Sequence, residues 1–241
     1  MTDPLAELVA YVRSVAARAP HPVVVGIGGG VAVGKSTIAA ALSDHLADLS
    51  SDVVNADGFL FPNAVLAARG LESRKGFPES YDVERLLAFV HAVHSGAPEV
   101  VAPRYSHATY DVLTDEVQVI RQPKVLLIEG VVVLTAVGSV CDVTVYVHAD
   151  EHTIEDWYRA RFHALVEAAR RDASSYSFYR EFAAMTDDET DAIARTTWRS
   201  INLPNLREYI APSGAHADVI IEKDVDHRIV SVSINRSRAL G

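Results

Sequence analysis

The 241-residue sequence predicts an α/β fold in which helices cover both faces of a mainly parallel sheet. Two observations lead to this prediction. Short β-branched runs, typical of buried parallel strands, alternate with longer segments whose apolar residues recur at helical spacing. A glycine-rich turn also joins the first such run to a helical pattern, as in a strand–turn–helix unit. We expect a single domain over residues 1–241, because no repeat and no linker rich in proline, glycine or serine interrupts the chain.

The first half of the chain predicts three helices and two strands. Apolar residues at helical spacing indicate helices at residues 5–15 and 35–48, and the first of these ends before two prolines. Short runs rich in valine indicate strands at residues 23–27 and 52–56. A third helix is expected at residues 83–95, with Asp82 as its N-cap.

The second half of the chain predicts four strands and a helical region. Strands are expected at residues 124–128, 142–148, 219–221 and 229–232. Helices are expected at residues 153–171, 175–184, 187–200 and 203–210. Because these helices follow one another with no strand between them, we expect about residues 150–210 to form a lid beside the sheet.

Composition and charge restrict the classes of function. Lysine and arginine number 22 against 32 aspartate and glutamate, and the net charge of −10 disfavours binding to nucleic acid or anionic membranes. No apolar run reaches the ~18 residues of a membrane span, and the first residues lack a signal-peptide pattern. The single cysteine, Cys141, cannot form an internal disulfide. We therefore expect a cytoplasmic protein that holds any anionic ligand at a local positive site.

Residues 29–36 match the phosphate-binding pattern G-x-x-x-x-G-K-[ST]. Its glycines let the backbone curl so that successive N–H groups point at phosphate oxygens. We expect Lys35 to reach the β- and γ-phosphates of ATP and Ser36 to bind Mg²⁺. A chance match is the alternative, but the predicted strand before the motif and helix after it favour a real site. The predicted nucleotide site comprises Gly29, Gly30, Val31, Ala32, Val33, Gly34, Lys35, Ser36 and Thr37.

Two acidic residues follow or end predicted strands, Asp57 after residues 52–56 and Glu129 after residues 124–128. Ligands of parallel sheets lie beyond the carboxyl ends of the strands. We assign Asp57 as the base that accepts the proton of the attacking hydroxyl, and Glu129 as a ligand of Mg²⁺, directly or through water. Taken alone, Asp57 is more often a turn or N-cap residue and Glu129 equally often a solvated acid.

Three longer segments then occur in order, DGFLFPN at residues 57–63, KGFPESYD at residues 75–82 and YSHATYD at residues 105–111. Together with residues 29–36, they closely resemble the prokaryotic type I pantothenate kinases, relatives of uridine kinase and phosphoribulokinase. The likeness covers about residues 23–232. It implies a P-loop kinase fold and the reaction of ATP with pantothenate to give 4′-phosphopantothenate, the first step of coenzyme A synthesis.

The resemblance also implies roles for single residues. It implies a catalytic set of Asp57, Lys35 and Arg161. It implies that Tyr105, His107, Tyr110, Tyr158, Arg161 and Asn202 join Asp57 in binding the acceptor, and that His227 stacks on adenine. The sequence pattern also supports Arg161 as a site residue independently of the resemblance. Arg161 shares a helical face with Tyr158, and a buried arginine needs an anion or another acceptor. A structural salt bridge is the alternative for Arg161.

Two features depart from the family pattern. About twenty residues precede the first predicted strand, where the family carries a longer extension that walls part of the adenine site. Leu165 and Arg170 stand where the family has aromatic residues around the tail of pantothenate, with Phe178 and Tyr179 as candidate substitutes. We therefore expect the head of the acceptor pocket to match the family pattern better than its tail does. We also expect acceptor binding at the tail to be weaker than in the family.

Two other functions stay open. A P-loop kinase could act on another small alcohol, such as a nucleoside or a specialised metabolite, and the altered tail favours this reading. A nucleotide-binding regulatory protein without transfer activity is the third reading, which the joint presence of Lys35, Asp57 and Glu129 disfavours. For partners we expect a small-molecule acceptor, no nucleic acid and no membrane, with a homodimer as the candidate assembly.

Overall fold

A computed structural model of the chain describes residues 3–172 and 177–235, and within them a six-stranded sheet and a two-stranded hairpin. The strands are β1 (Val23–Gly29), β2 (Ser51–Asn55), β3 (Val100–Ser106), β4 (Asp111–Ile120), β5 (Val125–Glu129), β6 (Val143–His148), β7 (Val219–Lys223) and β8 (Ile229–Ile234). The large sheet has the order β2-β5-β1-β6-β7-β8, and every neighbouring pair is parallel except β7 and β8. The predicted mainly parallel sheet is therefore confirmed.

The helices lie on both faces of this sheet. They are α1 (Ala6–Arg18), α2 (Lys35–His45), α3 (Asn63–Ala68), α4 (Val83–His94), α5 (Val133–Ala136), α6 (Glu151–Arg171), α7 (Asp187–Thr197), α8 (Leu203–Asn205) and α9 (Ala211–Gly214). Val25 and Leu127 pack with α1 and α2, whereas their neighbours Val24 and Leu126 pack with α4. Since successive strand residues face opposite sides, burial of both faces explains the unbroken apolar runs in the sequence.

The predicted lid is helical but differs in its details. Helices α7, α8 and α9 join through two π-helical turns, Trp198–Asn202 and Leu206–Ile210, into one run at residues 187–214. The helix predicted at residues 175–184 is wrong for its described part, which holds only a short 3₁₀ helix, Phe178–Phe182; residues 173–176 lie outside the described residues. Its N-cap, Ser177, accepts a hydrogen bond from Tyr179 N–H at 3.3 Å. None of the helices described is both long and apolar enough to cross a membrane.

The β3–β4 hairpin was not expected from the sequence. Pro103 lies within β3, and a register shift occurs between Pro103 and Arg104. Proline cannot donate to a strand ladder, and the acidic residues of β4 have low strand propensity, so neither segment has a clear strand pattern. The hairpin matters for function because its turn, between Ser106 and Asp111, projects toward the carboxyl ends of β1, β2 and β5.

Candidate active site

The turn between β1 and α2 has the backbone that the glycine pattern requires. Gly29 has a φ of 141°, and a Cβ at this position would lie 2.4 Å from the carbonyl oxygen of Val147. Gly34, at a φ of 87°, is the N-cap of α2. Lys35 Nζ donates to the Gly30 carbonyl at 2.8 Å and is buried inside the turn. Burial lowers the pKa of Lys35, while the nearby Glu129 opposes that change.

Glu129 and Ser36 form the oxygen-rich part of the site. Because β5 lies between β1 and β2, Glu129 pairs in register with Ile27 on one side and Asn55 on the other. Ser36 Oγ donates to Glu129 Oε1 at 2.9 Å. Burial raises the pKa of Glu129, and Lys35 acts in the opposite direction. A hydroxyl and a carboxylate that converge beside a phosphate-binding turn are a donor set that suits Mg²⁺.

Asp57 follows β2 and is held by two of its neighbours. Its N–H donates to Asn55 Oδ1 at 2.7 Å, and its Oδ1 accepts from the Tyr81 hydroxyl at 2.8 Å. Burial raises the pKa of Tyr81 well above its usual value, and Asp57 adds to the effect, so this phenol stays a donor. Asn55 and Tyr81 were not assigned from the sequence, although Tyr81 lies in one of the recognised segments. The site therefore has a carboxylate with one oxygen fixed in place.

A cavity of about 540 Å³ opens beside Asp57. All the residues predicted to bind the acceptor line it, namely Asp57, Tyr105, His107, Tyr110, Tyr158, Arg161 and Asn202. Lys35, Ser36 and Glu129 line the same cavity, so the predicted catalytic and acceptor groups share one space. Burial and the charge of Arg161 lower the pKa of His107, so this imidazole is neutral at pH 7.

Two asparagines carry buried polar atoms that have no partner in the described part of the chain. Asn202 Nδ2 and Asn205 Oδ1 both have no hydrogen-bond partner there, although Asn205 Nδ2 donates to the Gly76 carbonyl at 2.8 Å. Both side chains line the cavity. Because an unpaired buried amide costs free energy, these atoms are suited to a polar ligand.

Lys75 is a further cation in the cavity that was not assigned from the sequence. Its Nζ donates to Asn63 Oδ1 at 2.7 Å and to the Tyr110 carbonyl, and lies 3.9 Å from the centre of the Tyr110 ring. Burial lowers the pKa of Lys75 to about 8, against the pull of Asp111 and Asp57. The residue lies in a recognised segment, but sequence patterns do not reveal that a lysine is buried.

One part of the cavity wall is aromatic, and this corrects one expectation. Phe162, Phe178, Tyr179 and Phe182 line it, and Phe178 stacks on Tyr110 with ring centres 4.5 Å apart. Arg170 was expected to lie at the tail of the pocket in place of an aromatic residue, but it is not among the residues that line the cavity. Its guanidinium binds the carbonyls of Ala183 and Met185 and the carboxylate of Asp187. The tail of the pocket therefore has aromatic side chains, and this removes much of the reason to expect weaker acceptor binding there.

A second cavity of about 770 Å³ lies on the other side of the phosphate-binding turn. Gly34, Thr37 and His227 line it, and it shares Lys35, Ser36, His107 and Arg161 with the first cavity. The His227 ring stacks on Trp157 with centres 3.8 Å apart and an interplanar angle of 18°. Trp157 was not assigned from the sequence, because its helical spacing is equally typical of a core residue. The two cavities therefore adjoin at the phosphate-binding turn, where both are lined by Lys35.

Comparisons with known proteins find several similar kinases. The sequence profile of the phosphoribulokinase and uridine kinase family matches residues 24–157. A pantothenate kinase from Sorangium cellulosum is 48% identical over 228 residues, covering 90% of this chain and 73% of the relative. A pantothenate kinase from Brevibacillus brevis is 42% identical over 233 residues, covering 89% and 72%. A D-glycerate 3-kinase from Cryptococcus neoformans shares the fold at a TM-score of 0.67 and 13% identity, covering 98% of this chain and 100% of that one.

Proposed function

This chain belongs to the phosphoribulokinase and uridine kinase family, within it to the pantothenate kinases, and we propose that it phosphorylates the primary hydroxyl of pantothenate with ATP and Mg²⁺. The observation that carries the proposal is that one cavity holds Asp57, the phosphate-binding Lys35 and a set of polar groups suited to an acceptor. The names of the relatives supply the substrate.

The nucleotide half of the proposal rests on the turn at residues 29–36. Its backbone N–H groups and Lys35 are suited to the β- and γ-phosphates, and the second cavity gives His227 as a ring for adenine. Ser36 and Glu129 would hold Mg²⁺, which neutralises charge on the phosphates when it is bound. The 2.9 Å contact between Ser36 and Glu129 shows that their oxygens already converge.

The proposed chemical step is an attack of the acceptor hydroxyl on the γ-phosphorus of ATP, in which the bond from that phosphorus to the β–γ bridging oxygen breaks and ADP leaves. Asp57 takes the hydroxyl proton, and Tyr81 keeps the carboxylate oriented for that transfer. Lys35 and Arg161 stabilise the negative charge on the phosphoryl group as it passes between the two cavities. Since protein groups around phosphoryl transfer act mainly by positioning and charge, no covalent intermediate is needed.

The acceptor half of the proposal rests on polar and aromatic groups that line the first cavity. Pantothenate carries hydroxyls, an amide and a carboxylate, and Asn202 Nδ2 and Arg161 are donors suited to its acceptor oxygens. Phe178, Tyr179 and Phe182 supply apolar area for its carbon chain. A nucleoside base would have to fit the same aromatic part of the wall, so uridine is the competing acceptor to test.

An ADP-release assay with pantothenate, tail-modified pantothenamides, uridine and no acceptor tests this proposal. We expect kcat/KM for pantothenate to exceed that for uridine by at least about 100-fold, the equivalent of roughly 3 kcal/mol of selective binding. Turnover of uridine without pantothenate would overturn the substrate but keep the kinase. No acceptor-dependent ADP release from a folded, ATP-binding protein would favour the regulatory reading. The cytoplasmic location and the homodimer stay predictions, which cell fractionation and light scattering check.

A further inference from the structure

The end of the sheet opposite the active site carries a cluster of two histidines and an aspartate. His21 lies two residues before β1, Asp142 directly precedes β6, and His94 is the last residue of α4. One potential metal-ligand atom from each residue lies within 4.8 Å of the others. All three side chains are partly exposed, at 35%, 18% and 21%, so an ion has access from solvent.

The hydrogen bonding of His21 leaves a lone pair that faces the aspartate. His21 Nδ1 lies 3.0 Å from the Pro22 carbonyl, and because a carbonyl only accepts, Nδ1 carries the proton. In the neutral ring, Nε2 is then an unprotonated acceptor, 3.8 Å from Asp142 Oδ1. Two acceptors that face each other repel unless a proton or a cation lies between them.

A backbone contact orients Asp142, and the Asp142 carboxylate in turn contacts His94. Asp142 Oδ2 accepts from the Val24 N–H at 2.8 Å, and His94 Nε2 lies 3.0 Å from the same oxygen. Metal ligands in proteins are typically held in this way by a carbonyl or an amide in the next shell. His21 and Asp142 therefore each have such a support, from Pro22 and Val24.

We propose that His21, His94 and Asp142 bind a divalent transition-metal ion of the Zn²⁺ class. Two imidazoles and one carboxylate suit Zn²⁺ or Co²⁺, whereas Mg²⁺ prefers oxygen ligands alone. Two ligands about 2.0–2.1 Å from a tetrahedral ion lie roughly 3.3 Å apart, and here the histidine nitrogens lie 3.8 and 3.0 Å from the two carboxylate oxygens of Asp142. Water completes the set.

The neighbouring Cys141 is not a ligand of this site. Its Sγ is not among the potential ligand atoms that lie within 4.8 Å of one another. Its Sγ instead packs against Gly26, where a Cβ would come within 2.8 Å of it. The proposed ligand set is therefore limited to nitrogen and oxygen.

The ion would join three parts of the fold that are distant in sequence. It links the carboxyl end of α4 to the amino ends of β1 and β6, which are adjacent strands. The seven residues of β1 separate this site from the phosphate-binding turn by roughly 20 Å. We therefore assign the site a stabilising role and expect its loss to leave kcat unchanged.

The test is a Zn²⁺ titration of the full chain, free of any histidine tag, against a competing chelator and in excess Mg²⁺. We expect the wild type to retain one equivalent more Zn²⁺ than the His21→Gln/His94→Gln double variant, measured by mass spectrometry of the dialysed protein. The matched control is His91→Gln, an exposed histidine on the same helix, which should retain the full equivalent. Equal retention by the wild type and the double variant would overturn the proposal.

Two measurements on the wild type keep the proposal testable if the double variant does not fold. Co²⁺ should give the intense visible absorption of a four-coordinate site, and a weak six-coordinate spectrum contradicts the assignment. Free Zn²⁺ at about 100 times Kd should raise Tm by roughly 5–10 °C, and a chelator should reverse the rise. A Tm that does not respond to Zn²⁺ excludes a site that binds the folded chain.

Discussion

Burial determines which groups of the active site carry charge. It lowers the pKa of the Lys35 amine and raises that of the Glu129 carboxyl, so each group depends on the other for its charged form. Asp57 lies in the same cavity but is held by the Tyr81 hydroxyl and the Asn55 side chain. A fixed carboxylate beside a buried cation is the arrangement that a base for phosphoryl transfer requires.

Replacing the proposed base should separate binding from chemistry. Asp57→Asn keeps the size of the side chain but cannot take a proton, so we expect kcat to fall by about 10²–10⁴-fold with ATP affinity little changed. Steady-state kinetics and an ATP titration measure the two quantities. Loss of ATP binding with the fold intact would instead mean that Asp57 binds the metal or has a structural role.

Removing the buried lysine of the phosphate-binding turn should abolish transfer. Lys35→Ala takes away the charge that stabilises the phosphoryl group, and we expect at least about a 10³-fold loss of kcat/KM with an unchanged circular dichroism spectrum. Lys124→Ala, at an exposed lysine, is the matched control and should keep full activity. Near-native turnover by a folded Lys35→Ala protein contradicts the assignment.

The pKa of Lys75 predicts a pH dependence of acceptor binding. Burial sets this pKa at about 8, so the charge is present below pH 8 and lost above it. For an acceptor with a carboxylate we expect KM to rise about 5-fold between pH 7 and pH 9.5, the equivalent of roughly 1 kcal/mol. Lys75→Arg keeps its charge over that range and should show a flat profile. A rise of equal size in this variant assigns the effect to another group.

Burial of Lys75 also has a consequence for stability, and its sign is opposite to that of a salt bridge. The folded-state pKa of about 8 lies below the usual value of 10.5, so the unfolded chain binds more protons between these values. The contribution of Lys75 to the free energy of unfolding therefore rises with pH in that window. Below pH 8 the cost of burying the charged amine is present in full.

Patterns in the sequence revealed some site residues and not others. Lys35, Ser36, Asp57 and Glu129 stand in motifs or at predicted strand ends, so their proximity follows from the parallel sheet. Tyr81 and Lys75 are held in the site by contacts between segments that are distant in sequence, and their burial is a tertiary property. No spacing rule reveals such contacts.

At the scale of elements, strands buried on both faces were predictable and the lid was less so. The apolar runs of β1 and β5 are unambiguous, whereas the β3–β4 hairpin contains proline and acidic residues. The segment after α6 was predicted as a helix, but Phe178 and Phe182 there turn toward the acceptor cavity. Packing against the aromatic cluster thus outweighs the local helical pattern.

A charge network fixes α7 on α6 and predicts a loss of stability on mutation. Asp191 accepts from Arg159 Nε at 2.8 Å and from Arg195 Nε at 2.6 Å. The hydrogen bond from Arg195 is the main cause that lowers the pKa of Asp191 to about 2, with Arg159 adding to it. Because the site is solvated, we expect Asp191→Asn to cost only about 1 kcal/mol at pH 7, or roughly 2–4 °C in Tm.

The pH dependence of this effect provides its control. The folded-state pKa of Asp191 lies below the unfolded value of about 3.9, so its stabilisation is complete above that value and is lost as pH falls through about 2. The difference in Tm between wild type and Asp191→Asn should therefore shrink below pH 4. Asp44→Asn, at an exposed aspartate of α2, should change Tm less at pH 7. A difference that is constant from pH 7 to pH 3 contradicts the electrostatic origin.

At the scale of the whole molecule, the lid is attached to the main core at both of its ends. Ile154 and Trp157 at the start of α6, and Trp198 and Leu206 after α7, pack in the same cluster as the sheet. The distal part of the lid has a small cluster of its own, made of Phe162, Val166, Ala169, Tyr179 and Ala194. From this division we predict a single domain with a less stable distal segment over the acceptor cavity.

Native-state hydrogen exchange tests this prediction. Amides of β1 and β5, at the centre of the sheet, should exchange only by global unfolding. Those of α7 should exchange through a smaller opening, because only five buried residues form the distal cluster that holds this helix.

Ligand binding should change exchange in the same segment. Since the distal cluster shares Phe162 and Tyr179 with the acceptor cavity, pantothenate together with a non-hydrolysable ATP analogue should slow exchange in α7 more than in α1, which lies far from the cavity. Equal opening free energies for α7 and β1 would mean that the lid and the sheet unfold as one unit, and ligand protection confined to α1 would contradict the proposed acceptor site.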